Sequence, residues 1–491
     1  MIPGGAASPL SVASTGRRPS LAQLVALPAA LGVAVFSATA GFLVTAVVAI
    51  AVLAAVAVAL VPQAAALAFA FLLYANAPGV ATQVYGVPYL VAGLFTGLLV
   101  VPLAAMMLQR QPIVILPVLL LASAFGLAML LSSLQAIRLE PALERLLVHA
   151  SEGVLLVFLV TNVIRTERML RATLWALLLA GGFLAALSIH QGLTGDYGAT
   201  YGGFALIPQG AGALPPVNEG ARLGGPVSDP NRYAQILLTL LPIAVYAHVQ
   251  ARNSLARASS FIIGIMALVA TYLTQSRGAA IAIVSMLSAG VVVRVIPLRI
   301  VVFITILVVA GLAIAGPVSF DRLLSVPELQ PTPDVEGNVD LSALARLTLN
   351  LAAWNVFLDN PVLGVGPGNF ALVAVDYANE LGLRHFSYPF RAHNLYLEIA
   401  AELGIVGLAT FLCLVGYLLK RLWQVRNQSR IARPESAAIA TALLFSLMAY
   451  LLTGVFLHLS FERYFWFLIA LSGAALAILP PPTVAATDPA Q

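Results

Sequence analysis

An all-α, polytopic integral membrane protein is the fold class this sequence predicts, and three observations predict it. Apolar residues make up 60% of the 491-residue chain, and charged residues only 9%. From Val25 onward, near-uncharged stretches of about 15 to 25 residues recur, the length a helix needs to cross a hydrocarbon core. Basic residues gather in alternate connections between those stretches, as they do on the cytoplasmic side of a membrane. The net charge of +5 therefore says less about partners than the placement of the charges does.

Taken in order, Gly16-Arg17-Arg18-Pro19 precedes a long apolar stretch without a short h-region or a small-residue cleavage pattern, which reads as an uncleaved first helix. Candidate spans follow near 25–40, 42–61, 63–76, 88–108, 113–133, 150–164, 171–190, 233–250, 259–274, 278–293, 298–315, 395–419, 437–457 and 464–480. The third and sixth are short or mixed, so 12 to 14 transmembrane helices are expected, and either even count leaves both termini on one side. With Arg17 and Arg18 cytoplasmic, the alternation places 15 of the 25 basic residues in short connections on that side, beside only Glu167, Glu435 and Asp488. Cys413 stands alone in an apolar run, which leaves neither a disulfide framework nor a cysteine metal site.

The opposite side receives the two longest polar segments, 191–232 and 317–394. The second is far longer than an ordinary connection, so function is expected there. The organisation is then N-terminal transmembrane helices over 1–190, further transmembrane helices with an outer loop 191–232 over 191–316, a large outer loop over 317–394, and C-terminal helices with a cytoplasmic tail over 395–491. Within the large loop, Asp340 reads as an N-cap. Leu344, Leu347, Leu351, Trp354 and Leu358 recur at helical spacing until Asp359-Asn360-Pro361 stops the pattern, which predicts an amphipathic helix on the membrane surface. Arg346 and Asn350 share one of its faces. Gly364-Val365-Gly366-Pro367-Gly368 reads as a turn, since no strand precedes it as a phosphate-binding loop would require. In the shorter loop, Asp229 as N-cap with Pro230 behind it predicts a helix start.

Four outward basic residues come from four separate places: Arg222, Arg277, Arg346 and His393. Arg277 lies in a hairpin so tight that its guanidinium sits near the hydrocarbon boundary, where it either pairs with a bound anion or snorkels to headgroup phosphates. Arg346 and Arg222 bind an anion or are solvated. His393 stands where a helix is expected to begin, and the helix N-terminus and neighbouring arginines disfavour its protonation. A neutral imidazole there is either a general base or a capping ring at the interface. His190, His248, His458 and His149 lie in spans or at their ends, and His385 lies in the loop. Glu398 and Glu402, one turn apart in a span, are expected to face a polar cleft or an arginine. Metal chemistry is not expected: there is no paired-histidine motif, and Asp321, Glu328, Asp334, Glu336 and Asp340 lack ligand-loop spacing.

The run His393-Asn394, nine residues, Gly404, two residues, Gly407 resembles the signature of the O-antigen ligase and oligosaccharyltransferase superfamily, which also contains the O-antigen polymerases. Ser276-Arg277-Gly278-Ala279 at an outer hairpin, then Arg346 with Trp354, Pro361 and Gly364-Val365-Gly366 in the large loop, extend the likeness back to Arg222. The resemblance implies a bacterial inner-membrane enzyme with a periplasmic active face. It would move a glycan from undecaprenyl diphosphate to a hydroxyl, needing no metal, cofactor or nucleic acid. It implies His393 as the base, Arg277 and Arg346 with Arg222 as diphosphate-binding residues, and Asn394, Glu398 and Arg391 as supporting ones. Donor and acceptor would both arrive as membrane lipids. Among superfamily activities, ligation onto lipid A-core oligosaccharide is favoured because the large loop directly precedes the histidine motif. Polymerisation of O antigen and protein O-glycosylation are the alternatives. A secondary transporter, from another class, would place charge at mid-membrane, where most of these spans carry none.

Overall fold

The computed structural model describes residues 62–87, 94–208, 222–295, 298–299, 301–302, 306, 341–380, 391–458 and 463–479. The expected spans 25–40 and 42–61, most of 298–315, the cap Asp340, the side chain of Leu344, His385 and the acidic residues from Asp321 to Glu336 lie outside those residues. The chain divides into two compact units, Met1–Ala65 and Ala66–Gln491. Only the start of one helix is described in the first, and the second carries the bundle.

Among the described residues there are helices and no strand, apart from one isolated bridge between Leu206 and Gly225. The helices are α1 (Pro62–Tyr74), α2 (Ala77–Gln83), α3 (Gly97–Leu108), α4 (Pro117–Ser133), α5 (Leu139–Val163), α6 (Glu167–Thr194), α7 (Pro230–Val249), α8 (Ser254–Leu273), α9 (Arg277–Val292), α10 (Leu341–Asp359), α11 (Phe370–Glu380), α12 (Leu395–Ser429), α13 (Pro434–Thr453) and α14 (Arg463–Ile478). Six of them are long and apolar enough to cross a membrane, α13 counted with its terminal turn. The pair α1 and α2, bent by 53°, makes a seventh if it is one broken span, and α3, α4, α9 and α14 are shorter apolar helices. The all-α polytopic membrane fold expected from hydropathy is therefore the observed one.

Local chemistry explains where these helices begin. Pro117, Pro230 and Pro434 occupy first turns, where a missing N–H costs nothing. The side chains of Thr166, Asp229, Asn253, Ser276 and Asn394 accept hydrogen bonds from the otherwise unpaired amides of the helices they precede. Asp229 caps α7 as its spacing predicts, accepting from the amides of Asn231 and Arg232 at 2.8 and 3.2 Å. The sixth expected span is longer than its apolar run. α5 continues from Leu139 through a π-helical turn at His149–Leu155 to Val163, so charged residues extend it beyond the apolar part.

α7 packs against α6, α8 and α13, and α12 packs against α4, α10 and α13. One continuous apolar core includes Phe125, Leu238, Phe411, Phe465 and Trp466. α10 forms as the periodicity predicts but buries a different face. Thr348, Leu349, Ala352, Ala353 and Val356 are buried, while Leu347, Leu351, Trp354 and Leu358 point outward, each at least 40% exposed. Small residues on that face permit close backbone approach between helices.

Candidate functional site

Asn394 caps α12, its side chain accepting from the amides of Tyr396 and Leu397 at 3.0 and 3.2 Å. His393 stands one residue ahead of that cap in the left-handed region, with φ 49°. Its ring is half-buried, and its Nδ1 is enclosed without a hydrogen-bond partner. Burial first, then Arg346, Arg391 and Arg232, opposed by Asp229, push its pKa down from 6.5 to about 4. The imidazole is therefore neutral at neutral pH.

Those charges show what the fold collects here: Arg346 from α10, Asp229 and Arg232 from the head of α7, and Arg391 from the strand of chain leading into α12. The Nε of Arg391 donates to Glu398 Oε1 at 2.9 Å, and its Nη2 bonds the same oxygen. Glu398 is 1% exposed and Glu402 4% exposed. Arg145 of α5 lies within electrostatic reach of both carboxylates. Of the two expectations for these acids, a polar cleft or an arginine, Glu398 meets the second through Arg391.

Arg222 is held by protein. Its Nε donates to the carbonyl of Thr274 at 3.0 Å and its Nη2 to Asn231 Oδ1 at 3.1 Å, tying the end of α8 to the start of α7. Arg222→Ala is expected to lower stability by about 2 kcal/mol, since two charge-assisted bonds are lost. A fall in melting temperature in detergent would report it. An unchanged melting temperature with weakened donor binding would instead make Arg222 a substrate ligand.

Arg277 opens α9 behind the cap Ser276, whose Oγ accepts from the amide of Ala279 at 3.4 Å. A Cβ on the adjacent Gly278 would lie 3.2 Å from the Phe456 ring. Phe456 ends a short turn, Gly454–Phe456, and Gly454 in turn lies against Leu395, the first residue of α12. This relay brings the head of α9 and His393 to one end of the bundle.

Two residues that sequence reasoning passed over stand beside His393. The ring of His458 meets that of His393 edge to face, with centroids 5.1 Å apart, and Arg232 Nη2 lies 3.4 Å from His458 Nε2. The signal was available, because the topology that selected Arg277 also puts His458 and Arg232 at the outer ends of their spans.

Pro361 to Gly366 acquires a role beyond a turn. α12 breaks at Gly404, with φ 62° and ψ −162°. The loop supplies the bonds lost there: the amides of Val365 and Gly366 donate to the carbonyls of Ala401 and Glu402 at 3.1 and 3.0 Å, and the amide of Ile405 donates to the carbonyl of Pro361 at 2.8 Å. Ser132 Oγ also donates to the Glu402 carbonyl, at 2.7 Å. Asn369, fully buried, bonds both the amide and the carbonyl of Arg138, fastening the loop to the connection between α4 and α5. The half-helix that carries Glu398 and Glu402 is thereby fixed at its Gly404 end.

Residues 234–412, which contain Arg277, Arg346, His393 and the Gly404 break, match a family model described as O-antigen ligase. Two proteins named as polysaccharide ligases resemble part of the chain. One, from Rickettsia conorii, is 33% identical over 94 residues, 18% of this chain and 22% of its own length. The other, from Rickettsia felis, is 33% identical over 101 residues, 20% of this chain and 25% of its own. The aligned stretch thus spans about a quarter or less of each relative.

Proposed function

We propose that this protein transfers an O-antigen glycan from undecaprenyl diphosphate to a sugar hydroxyl of lipid A-core oligosaccharide, at the periplasmic face of the bacterial inner membrane with both termini cytoplasmic. The observation that carries the reading is a neutral histidine at the head of a capped helix, set among arginines, inside the stretch that matches the ligase family model. The acceptor hydroxyl attacks the anomeric carbon while its proton passes to His393. The bond from that carbon to the diphosphate breaks, and its electron pair stays on the diphosphate oxygen. Arg277 and Arg346 hold the diphosphate and offset its growing charge, with Arg222 tying the end of α8 to the start of α7 and contributing where it reaches. Arg391, Asn394 and Glu398 keep the head of α12 in place. A single displacement inverts the anomeric centre. The outward stripe of α10 faces the lipid from which donor and acceptor come.

The test is transfer by purified protein in nanodiscs with undecaprenyl diphosphate-linked glycan and lipid A-core acceptor, in the presence of chelator. Product on the acceptor is expected, because arginines rather than a metal stabilise the leaving group. A longer donor glycan would identify a polymerase, and a requirement for divalent metal would remove the arginine mechanism.

The pH dependence follows from the cause of the His393 shift. The acid limb of kcat/KM, which reports free enzyme, is expected near pH 4 rather than 6.5. The acid limb of kcat should lie higher, because bound diphosphate offsets the arginines that depress the base. The folded value lies below the unfolded one, so stability from this group is complete above 6.5 and is lost as pH falls toward 4.

A further inference from the structure

We propose that His458 is a positioning residue for His393, a second imidazole that orients the first by ring contact where a carboxylate or carbonyl usually does so. The proposal rests on the reading of His393 as the base.

A histidine base is ordinarily held through its second nitrogen, which fixes tautomer and ring angle. The Nδ1 of His393 has no such partner among the described residues, and its left-handed backbone ahead of the cap leaves the ring outside the helix. What does meet the ring is His458, edge to face at 5.1 Å. Arginine can only donate, so the 3.4 Å approach of Arg232 to His458 Nε2 makes that nitrogen the acceptor and places the proton on Nδ1. His458 is then a neutral ring in one tautomer.

The surrounding charges favour that state. Around His393 stand Arg346 of α10, Asp229 and Arg232 of the α7 head, and Arg391 before α12. Around His458, burial, Arg391, Arg232, His393 and Arg145 all disfavour protonation. A carboxylate in this position would raise the basicity of His393, whereas a neutral ring orients it without doing so.

The experiment compares full-length wild type with His458→Ala, His458→Phe and His458→Gln in nanodiscs. It reads transfer kinetics and, independently of activity, the pH midpoint of His393 modification by diethyl pyrocarbonate, resolved by peptide. His458→Ala is expected to lower kcat about tenfold while KM stays within about twofold, and to raise the His393 midpoint as water enters beside the ring. His458→Phe keeps the ring contact and is expected to restore both, although the contact from Arg232 to His458 Nε2 is lost in either variant. Should the alanine variant not fold, His458→Gln replaces it, and Phe is expected to exceed Gln. A midpoint unmoved by Ala or Gln, or a Phe variant as impaired as they are, overturns the proposal. Absence of transfer by wild type would end the ligase reading, while the modification midpoints would still decide the role of His458.

Discussion

His393→Ala is expected to lower transfer roughly 10²- to 10⁴-fold, the range that a positioned general base supplies. Three features make this a chemical rather than a structural loss. The ring is half-buried, Asn394 and not His393 caps α12, and the Nδ1 of His393 bonds nothing among the described residues. The variant should therefore elute and melt as wild type does while forming no lipid A-core product from undecaprenyl diphosphate-linked glycan. Donor binding should survive, because the diphosphate is assigned to Arg277 and Arg346. A well-folded variant that keeps more than about a tenth of the rate would show that another group takes the proton.

Gly404→Ala is expected to prevent accumulation of folded protein. The backbone there, φ 62° and ψ −162°, belongs to a region essentially reserved for glycine, and forcing another residue into it costs about 1–3 kcal/mol. Space is the second obstacle: a Cβ would lie 2.2 Å from the carbonyl oxygen of Val362, a backbone atom that cannot swing aside. Relief requires the loop to withdraw, which breaks the bonds from Val365, Gly366 and Ile405 and exposes the break in α12. Gly416→Ala in the same helix is the control, since a Cβ there meets nothing within 4 Å, and it should be neutral or slightly stabilising. Monodisperse yield and melting temperature of the two variants separate the cases. Equal yields would mean that the loop adjusts and that the break tolerates a side chain.

Much of the architecture was legible in the order of residues, because it rests on interactions within a turn or two of helix. Every expected span that falls wholly among the described residues is occupied by helix, the cap Asp229 stands where its spacing placed it, and α12 begins directly behind His393 as expected, though Asn394 rather than His393 caps it. The cost of burying a carboxylate led to a polar cleft or an arginine for Glu398, and Arg391 meets it. The hairpin at Thr274 to Ser276 was readable from its length alone.

Other features depend on which surfaces meet. Periodicity located α10 but pointed to Leu347, Leu351, Trp354 and Leu358, while the packed face is the small one around Ala352 and Ala353. Hydropathy alone does not say which of two apolar faces meets a neighbouring helix. Gly364 and Gly366 read as a turn, and only the break at Gly404 gives them unpaired backbone groups to satisfy. Arg222 read as an outward cation, and only the fold supplies Thr274 and Asn231 as its partners. By itself the sequence determined the class of protein, the positions of the described spans and the cap Asp229. Tertiary structure alone decided that His458 lies against His393 and that a loop completes a broken helix. Hydropathy and capping belong to neighbours in the chain, whereas a ring contact or a borrowed backbone bond exists only once distant helices have packed.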